Sequence, residues 1–403
     1  MFSFFIVDDD KTNLVLLKTL LENKGHKVFT ETSPVKALEV LSNETVDCII
    51  LDIMMPDMDG IEFLSRLKKI ESLKEAKTVV LTSKSFDYDR ELAQKNGTDL
   101  YLIKPIVVET FLDDIYTLLN QTFKIKFWGV RGTLPVPGKD TVRYGGNTSC
   151  VSVEVPGRPI IIFDAGSGIR NLGQSLLGKR NNIKFFISHG HWDHINAFPF
   201  FTPLYIAGNK IEVFGPQHYN KSVEEMISEQ MSQIYFPITV SEFACHIQYR
   251  DLQAQNLNIS GIDVQSFLLS HPGKCLGYRL RYSGKTFCYV TDNEIYDKSH
   301  PSHSTEYYEN LCNFVKGCDA LIIDSTYRDH EYLTKINWGH SSISQVTNLA
   351  HDAKVKILYL FHHDPSQNDN DIDKKLVEAK EVLKKLESQT QVHCPKEGEV
   401  IIL

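Results

Sequence analysis

The sequence predicts an α/β protein of two domains, residues 1–121 and 122–403. Its 403 residues exceed what one hydrophobic core usually supports. Up to residue 121, short apolar runs alternate with helical patterns, which is typical of βα units on a doubly wound parallel sheet. From about residue 123, glycine, proline and aromatic residues become frequent and strands predominate. The second domain is therefore expected to be richer in strands.

The first domain begins with a strand and a helix. "FFIV" is the strand, and the helix after it places Leu14, Leu17, Leu20 and Leu21 on one face before Gly25 as a C-cap. Ser33 and Pro34 suit the N-cap and the first position of a second helix. Further strands are expected at "CIILD" (48–52), "TVVLTS" (78–83) and "LYLIKP" (100–105).

Composition and charge exclude several classes of protein. The net charge of −8 provides no basic surface for duplex DNA. No apolar run approaches the ~20 residues of a membrane span, and the opening "MFSFFIV" lacks the basic start of a signal peptide. The eight cysteines include no CxxC pair and are expected to be reduced. We therefore expect a cytoplasmic protein that binds neither a membrane nor duplex DNA.

Polar side chains stand at the ends of four predicted strands of the first domain. They are Asp8, Asp9, Asp52, Thr82, Ser83 and Lys104. Ligands of a parallel sheet bind beyond the carboxyl ends of its strands. Clustered carboxylates repel one another unless a cation lies among them, and oxygen ligands favour Mg²⁺. A lysine and a hydroxyl beside them suit a phosphoryl group. The alternative is a solvated acidic rim.

Four motifs of this domain resemble those of the response-regulator receiver domain, a flavodoxin-like fold: "FIVDDD", "LDIMMPDMDG", "VVLTS" and "YLIKPI". The resemblance covers residues 1 to about 121 and implies that Asp52 is the phosphoacceptor. It assigns Mg²⁺ to Asp8, Asp9, Asp52 and the backbone carbonyl of Met54, and it assigns the switch to Thr82, Tyr101 and Lys104. A structural tyrosine at position 101 is the alternative. A sensor histidine kinase is implied as the phosphodonor, and pairing of two receivers would give a homodimer.

The second domain contains "FFISHGHWDHINAF" (185–198), in which His189, His191, Asp193 and His194 follow an apolar run. Four groups from one segment cannot complete two metal shells, since zinc alone takes about four ligands. Other apolar strands end in side chains that bind metals: Asp164, His271, Asp292, Asp324 and His362 or His363. One such histidine is usually a loop residue, but the repeated pattern predicts a metal cluster.

These residues resemble the metallo-β-lactamase superfamily, an αββα sandwich, through "HGHWDH", "YVTD", "LIIDSTY", "WGHSS" and "LFHHDP". The later motifs are similar to its phosphodiesterase branch, which includes the tRNA 3′-processing nuclease. The resemblance implies one metal on His189, His191 and His271, another on Asp193, His194 and His362, and Asp292 bridging both. It places Asp164 behind the ligands and makes His340 a proton donor or phosphate contact.

Two points within this metal assignment stay open. "HHDP" offers two histidines, of which His362 keeps the usual distance to Pro365; His363 is the second choice and otherwise lies behind the ligands. Zinc is the expected metal, with manganese or iron as alternatives. A histidine at position 340 that only packs or caps is also an alternative to a catalytic one.

A dinuclear site predicts hydrolysis, with Asp193 orienting water and His340 protonating the leaving group. The chain has no basic glycine-rich insertion that could grip tRNA, so a small phosphodiester such as a cyclic nucleotide is the expected substrate. Phosphorylation of Asp52 is expected to control turnover. Arg131 and Asn147 either meet an anionic substrate or form turns. The aromatic stretches 198–209 and 231–238 either stack a base or belong to the core.

Two other functions compete with this prediction. The same metals could hydrolyse a thioester or lactone. A non-enzymatic di-iron module that senses oxygen or metal could instead report through the receiver to a signalling partner. The redox-active di-iron branch usually has a glutamate where this chain has His191, which disfavours the sensor.

Overall fold

The computed structural model describes residues 2–83, 86–120 and 123–403. The chain divides into two units, Met1–Thr122 with Val155–Gly157 and Phe123–Glu154 with Arg158–Leu403. The domain boundary predicted between residues 121 and 122 falls outside the described residues.

Within the described part of the first unit, five parallel strands form one sheet in the order β2-β1-β3-β4-β5. The strands are β1 (Ser3–Val7), β2 (Lys27–Glu31), β3 (Cys48–Leu51), β4 (Lys77–Thr82) and β5 (Leu100–Ile103). The helices are α1 (Lys11–Glu22), α2 (Pro34–Leu41), α3 (Gly60–Leu67), α4 (Asp87–Lys95) and α5 (Val108–Asn120). The predicted doubly wound sheet is confirmed.

Both faces of this sheet are covered because its strands are apolar on both sides. Phe5 and Val7 pack into one core, and Phe4 and Ile6 into the other. Helix α2 begins at Pro34 after an extended Ser33, as predicted. The predicted cap at Gly25 is confirmed: its φ is 81°, its amide donates to the Glu22 carbonyl, and the His26 amide donates to the Leu21 carbonyl, which is a Schellman motif.

The described residues of the second unit form two seven-stranded sheets. The first sheet has the order β11-β10-β9-β8-β7-β6-β19, with β6 (Lys124–Gly129), β7 (Cys150–Glu154), β8 (Ile160–Phe163), β9 (Asn182–Phe186), β10 (Lys210–Pro216), β11 (His246–Leu252) and β19 (Val400–Ile402). The second runs from β12 to β18, with β12 (Asn256–Ile259), β13 (Ile262–Leu269), β14 (Cys275–Tyr282), β15 (Lys285–Val290), β16 (Ala320–Asp324), β17 (Ile357–Phe361) and β18 (Gln391–His393).

Aromatic side chains join the two sheets face to face. The ring centroids of Phe163 and Tyr289 lie 4.9 Å apart, and those of Phe186 and Tyr278 lie 5.1 Å apart. Helices α6 (Ile169–Ser175), α8 (Val223–Glu229), α9 (Thr305–Val315), α11 (Ile343–Asp352) and α12 (Asp369–Lys385) pack against the sheets. Two short helices, α7 (Trp192–Ile195) and α10 (Asp329–Tyr332), lie in the connections. The predicted αββα sandwich is confirmed. Across the described ranges, no helix is both long and apolar enough to cross a membrane.

Candidate metal centre and phosphorylation site

The tips of strands from both sheets bring the predicted metal ligands together. His189 follows β9 of the first sheet, whereas His271, Asp292 and His362 follow β13, β15 and β17 of the second. The ligand atoms form two groups in which all atoms lie within 4.8 Å of one another: His189, His191, His271 and Asp292 in one, and Asp193, His194 and His362 in the other. This convergence is what the sequence predicted for these seven residues.

Asp292 lies between the two groups and presents one oxygen to each. Its Oδ2 is 3.5 Å from His189 Nε2 and 3.7 Å from His271 Nε2. Its Oδ1 is 3.1 Å from the Nε2 atoms of both His194 and His362. A carboxylate in this position can contact a cation in each group at once.

Contacts behind the ligands orient the imidazole rings. The Nδ1 atom of His194 lies 2.8 Å from Asp164 Oδ2, and that of His271 lies 2.9 Å from the Gly339 carbonyl. His362 Nδ1 lies 3.1 Å from Thr326 Oγ1. Holding one ring nitrogen turns the other toward the site and fixes the ring orientation.

Three residues at strand ends adopt backbone angles that residues other than glycine rarely take. Asp164, Asp292 and His362 have φ values of 58°, 43° and 60°, in the left-handed region. Asp164 also accepts hydrogen bonds from the Ser188 amide (2.7 Å) and the Tyr289 hydroxyl (2.8 Å). Such conformations persist only where surrounding contacts hold them, and they are common at functional sites.

Electrostatics at the cluster favour a cation. Burial alone raises the pKa of Asp193 and Asp292, but the imidazoles of His194 and His362 more than offset it and hold both well below the usual range. Burial lowers the pKa of His194, but Asp193 and Asp292 prevail and raise it well above its usual value. The carboxylates therefore stay ionised and attract positive charge.

The donor set fits divalent metal ions. The fully buried His189 Nε2 has no hydrogen-bond partner among the described residues, although it faces the Asp292 carboxylate. A buried nitrogen without a hydrogen-bond partner destabilises the folded state unless a ligand binds to it. Three carboxylates but no lysine or arginine appear among the described residues that line the cleft above the cluster. Imidazole and carboxylate ligands suit zinc and other divalent metals of the first transition row.

His340 lies beside the cluster and is paired with Asp324. Its Nδ1 is 2.8 Å from Asp324 Oδ2, and its ring stacks on that of His362 with centroids 5.1 Å apart. Burial lowers the pKa of His340, but the carboxylates of Asp324 and Asp292 outweigh it and raise the value to about 9. His340 thus lines the cleft, and its raised pKa keeps the imidazole in the protonated form, which can donate a proton.

The two histidines of "HHDP" face different surroundings. His362 lies in the ligand cluster, whereas His363 Nδ1 accepts a hydrogen bond from Lys375 Nζ at 3.0 Å. Lys375 is fully buried on α12, and burial lowers its pKa to about 8. The geometry therefore favours His362 as the ligand and keeps His363 behind it.

Other residues that the sequence suggested as substrate contacts do not line the cleft. Arg131 is fully buried and donates to the Gly145 and Gln367 carbonyls, and Asn147 is bonded to Glu397. Phe198 and Phe201, from the first aromatic stretch, are core residues. Of the alternatives left open for these positions, the structural one holds.

Several functional neighbours were missed in the sequence. Thr326 supports His362, and Ser188 and Tyr289 bind Asp164. Thr326 and Ser188 stand beside or within the motifs "LIIDSTY" and "ISHGHWDH", and their adjacency was the available signal. Tyr289 opens the motif "YVTD", but a tyrosine within an apolar strand is usually a core residue, so its contact with Asp164 was not expected.

Gly132 approaches the candidate ligand His362 too closely for any side chain. A Cβ added there would lie 2.2 Å from His362 Cε1. We expect Gly132→Ala to displace the ring and weaken metal binding by about 10- to 100-fold, the range typical of disturbed ligand support. Metal titration against a chelator measures this effect. Gly138→Ala is the matched control, because its Cβ would meet open space. Equal affinities of the two variants would contradict the expectation.

The first unit gathers its predicted acidic residues around Lys104. Lys104 Nζ lies 2.7 Å from Oδ2 of both Asp8 and Asp52, which are buried. Burial lowers the pKa of Lys104, but its hydrogen bonds to Asp52 and Asp8 raise it overall. The Met54 amide donates to Asp52 Oδ1 at 3.0 Å. The two carboxylates and the ammonium group therefore share one pocket at the carboxyl ends of β1, β3 and β5.

The other predicted receiver residues differ in their exposure to solvent. Asp9 is exposed and Thr82 is buried at the end of β4. Tyr101 is buried, which raises its pKa, and the Arg90 guanidinium lies 5.4 Å from its ring centroid. The tyrosine is therefore seen in an inward position.

The folds and the sites define a receiver domain joined to a metallo-β-lactamase sandwich. A family model for the response regulator receiver domain matches residues 4–116, and one for the beta-lactamase superfamily domain matches residues 160–363. Since the second match spans about half of the chain, the chain belongs to the beta-lactamase superfamily, with an N-terminal receiver domain. Both predicted resemblances are confirmed. Membership implies divalent metals in the sandwich, and the receiver implies Mg²⁺ and a phosphodonor kinase.

Each of the two domains is similar to known proteins. The polar-differentiation response regulator DivK of Brucella ovis is 30% identical over 119 residues, covering 30% of this chain and 97% of that protein. Ribonuclease Z of Picrophilus torridus is 24% identical over 309 residues, covering 66% of this chain and 92% of that protein. The structure of YhfI, a metallo-beta-lactamase fold protein from Bacillus subtilis, has a TM-score of 0.51 at 18% identity and covers 70% of this chain and 100% of its own. This last likeness shows the fold.

Proposed function

We propose that the chain is a response regulator whose output is the metal-dependent hydrolysis of a small phosphodiester. The observation that carries the proposal is Asp292, which presents Oδ1 to one group of metal-binding side chains and Oδ2 to the other. A shared carboxylate between two ligand groups is the arrangement that a dinuclear hydrolase needs.

Two divalent cations would occupy the two groups, with zinc as the proposed metal and manganese or iron as alternatives. His189, His191 and His271 would hold the first, Asp193, His194 and His362 the second, and Asp292 both. When bound, the cations supply Lewis acidity toward the phosphoryl oxygens and lower the pKa of water.

The surrounding residues of the chain then perform the proton transfers. A water oxygen bonds to phosphorus as the bond between phosphorus and the leaving oxygen breaks. Asp193, whose Oδ2 is fixed by the Thr133 amide at 2.7 Å, orients the water and takes its proton. His340 protonates the leaving oxygen through Nε2, because Asp324 holds its Nδ1.

Support for a phosphodiester comes from the site and from one relative. The proposed acid–base pair, Asp193 and His340, lines the same cleft as the ligands. The relative from Picrophilus torridus is named for ribonuclease activity, which cleaves phosphodiesters. This chain lacks a basic insertion that could grip a long RNA, which favours a small substrate such as a cyclic nucleotide.

Control of turnover is proposed to reside in the receiver. A sensor histidine kinase would transfer a phosphoryl group to Asp52, with Mg²⁺ held by Asp8, Asp9, Asp52 and the Met54 carbonyl. Lys104, already within 2.7 Å of Asp52, would pair with the new charge, and Thr82 and Tyr101 would respond to it.

A substrate panel with metal analysis tests the proposal. The full chain, loaded with zinc, manganese or iron, is assayed on bis(p-nitrophenyl) phosphate, cyclic mononucleotides, a thioester and a lactone, with and without acetyl phosphate. We expect diester hydrolysis that changes with acetyl phosphate. Turnover of thioesters or lactones alone would overturn it, as would iron with an oxygen-sensitive spectrum and no hydrolysis.

A further inference from the structure

Two of the three tryptophans of the chain are exposed on the wall of the cleft above the ligand cluster. Trp192 is 80% exposed and Trp338 is 56% exposed, whereas Trp128 is 8% exposed and donates to Ser152. Tryptophan is normally well buried because its ring carries a large apolar area. Because two exposed rings line one cleft of about 520 Å³, they are better explained by contact with a ligand than by packing.

Both tryptophans are held on backbone that the site itself fixes. Trp192 opens α7 between the candidate ligands His191 and Asp193. The amides on either side of Trp338, those of Asn337 and Gly339, both donate at 2.8 Å to the buried carboxylate of Glu294. The Gly339 carbonyl also contacts His271 Nδ1 at 2.9 Å. The rings are thus presented by ordered segments, which lowers the entropy cost of stacking on them.

The surroundings of Trp338 leave one side for a partner. Lys335 Nζ lies 3.9 Å from the ring centroid and covers one face in a cation–π contact. A flat ligand group must therefore use the other face. An electron-poor or neutral aromatic ring, such as a nucleobase, is the natural partner for that face.

The charge of the cleft limits what accompanies the aromatic group. Its lining, over the described residues, contains Asp193, Asp292 and Asp364 but neither lysine nor arginine. A polyphosphate or a nucleic acid strand carries several negative charges and needs several cationic side chains. The two proposed cations and His340 serve the one phosphoryl group that reacts, and the lining offers no lysine or arginine for further phosphates, which favours a single diester with one negative charge.

We propose that Trp192 and Trp338 determine substrate specificity by stacking on the nucleobase of a monoanionic, nucleotide-sized phosphodiester. This inference rests on the proposed function and adds to it the class of substrate and the residues that select it. The two side chains bind substrate without entering the proton transfers assigned to Asp193 and His340.

A pair of chromogenic diesters isolates the contribution of the base. The metal-loaded full chain is assayed on thymidine 5′-(p-nitrophenyl phosphate) and on methyl p-nitrophenyl phosphate, which share the nitrophenyl group and differ in the nucleoside. Trp192→Ala and Trp338→Ala are each expected to raise KM for the thymidine ester by about tenfold or more, with little change in kcat or in the methyl ester. Phenylalanine at either position should retain most of the affinity. Tyr88→Ala, a 73% exposed aromatic on α4 of the first unit and outside the cleft lining, is the control.

Tryptophan fluorescence provides a readout that needs no turnover. The methyl ester of adenosine 5′-monophosphate, a monoanionic diester, should quench the emission of the metal-loaded chain, and Trp192→Phe and Trp338→Phe should each remove part of the quench, since Trp128 is buried. Equal losses of activity on both esters in the alanine variants would overturn the stacking role. An unchanged KM in the alanine variants, or an unchanged quench in the phenylalanine variants, would overturn it as well. If neither ester is hydrolysed but the quench is lost in the variants, the proposed reaction fails while the stacking site stands.

Discussion

Replacing Asp292 by asparagine is expected to lower kcat/KM on bis(p-nitrophenyl) phosphate by about 1,000-fold or more, because several kcal/mol of charge stabilisation would be lost. Both oxygens of Asp292 face imidazole nitrogens at 3.1 to 3.7 Å. An amide carries no charge, and its NH₂ group would turn a donor toward one of the two ligand groups. The variant should also bind fewer metal ions than the parent chain.

Metal content by mass spectrometry and steady-state kinetics measure these two effects on the same preparation. Asp263→Asn makes the same chemical change at an exposed position of β13 and should leave both unchanged. An Asp292→Asn chain that keeps full activity and a full complement of metal would remove the basis of the dinuclear proposal. Loss of activity with intact metal content would instead assign Asp292 to orienting water.

Replacing Asp52 by asparagine is expected to abolish phosphoryl incorporation from acetyl phosphate in the presence of Mg²⁺. Asp52 is the carboxylate that both accepts the Met54 amide and pairs with Lys104. Its oxygen is the nucleophile in the proposed transfer, and an amide in its place is a poor one. The parent chain should gain one phosphoryl group, which hydroxylamine releases because an acyl phosphate is labile.

Intact-mass measurement follows the modification, and Asp57→Asn is the matched control. Asp57 is an exposed aspartate of the same loop with φ 68°, a conformation that asparagine also tolerates. The Asp57→Asn chain should be phosphorylated to the same extent as the parent chain. Full labelling of Asp52→Asn would place the phosphoacceptor elsewhere.

The sequence predicted the positions of both sites because strand ends have a regular geometry. In the receiver, parallel strands bring Asp8, Asp52 and Lys104 to one edge of the sheet. In the sandwich, the candidate ligands lie on the segments that follow the ends of β9, β13, β15 and β17, so recognising the strands was enough to expect convergence. The assignment of individual roles to these residues stays a prediction.

Side chains whose surroundings come from distant segments could not be predicted in the same way. Arg131 was expected to meet an anionic substrate or to form a turn, but it is fully buried and donates to the carbonyls of Gly145 and Gln367. His363 is turned by Lys375, a lysine on α12 that a helical pattern would place in solvent. Trp338 is held at the surface by hydrogen bonds of its neighbours to Glu294, a partner that the motif "WGHSS" does not contain. In each case the decisive partner is remote in sequence.

The left-handed tips at Asp164, Asp292 and His362 bear on how this protein can acquire new substrates. Each backbone there tolerates few alternatives, since such angles cost about 1–3 kcal/mol for residues other than glycine. Variation at the tips would endanger folding and chemistry together. Trp192 and Trp338 themselves have no such angle and their side chains are exposed, so substitutions that change the substrate should be tolerated best at these two side chains.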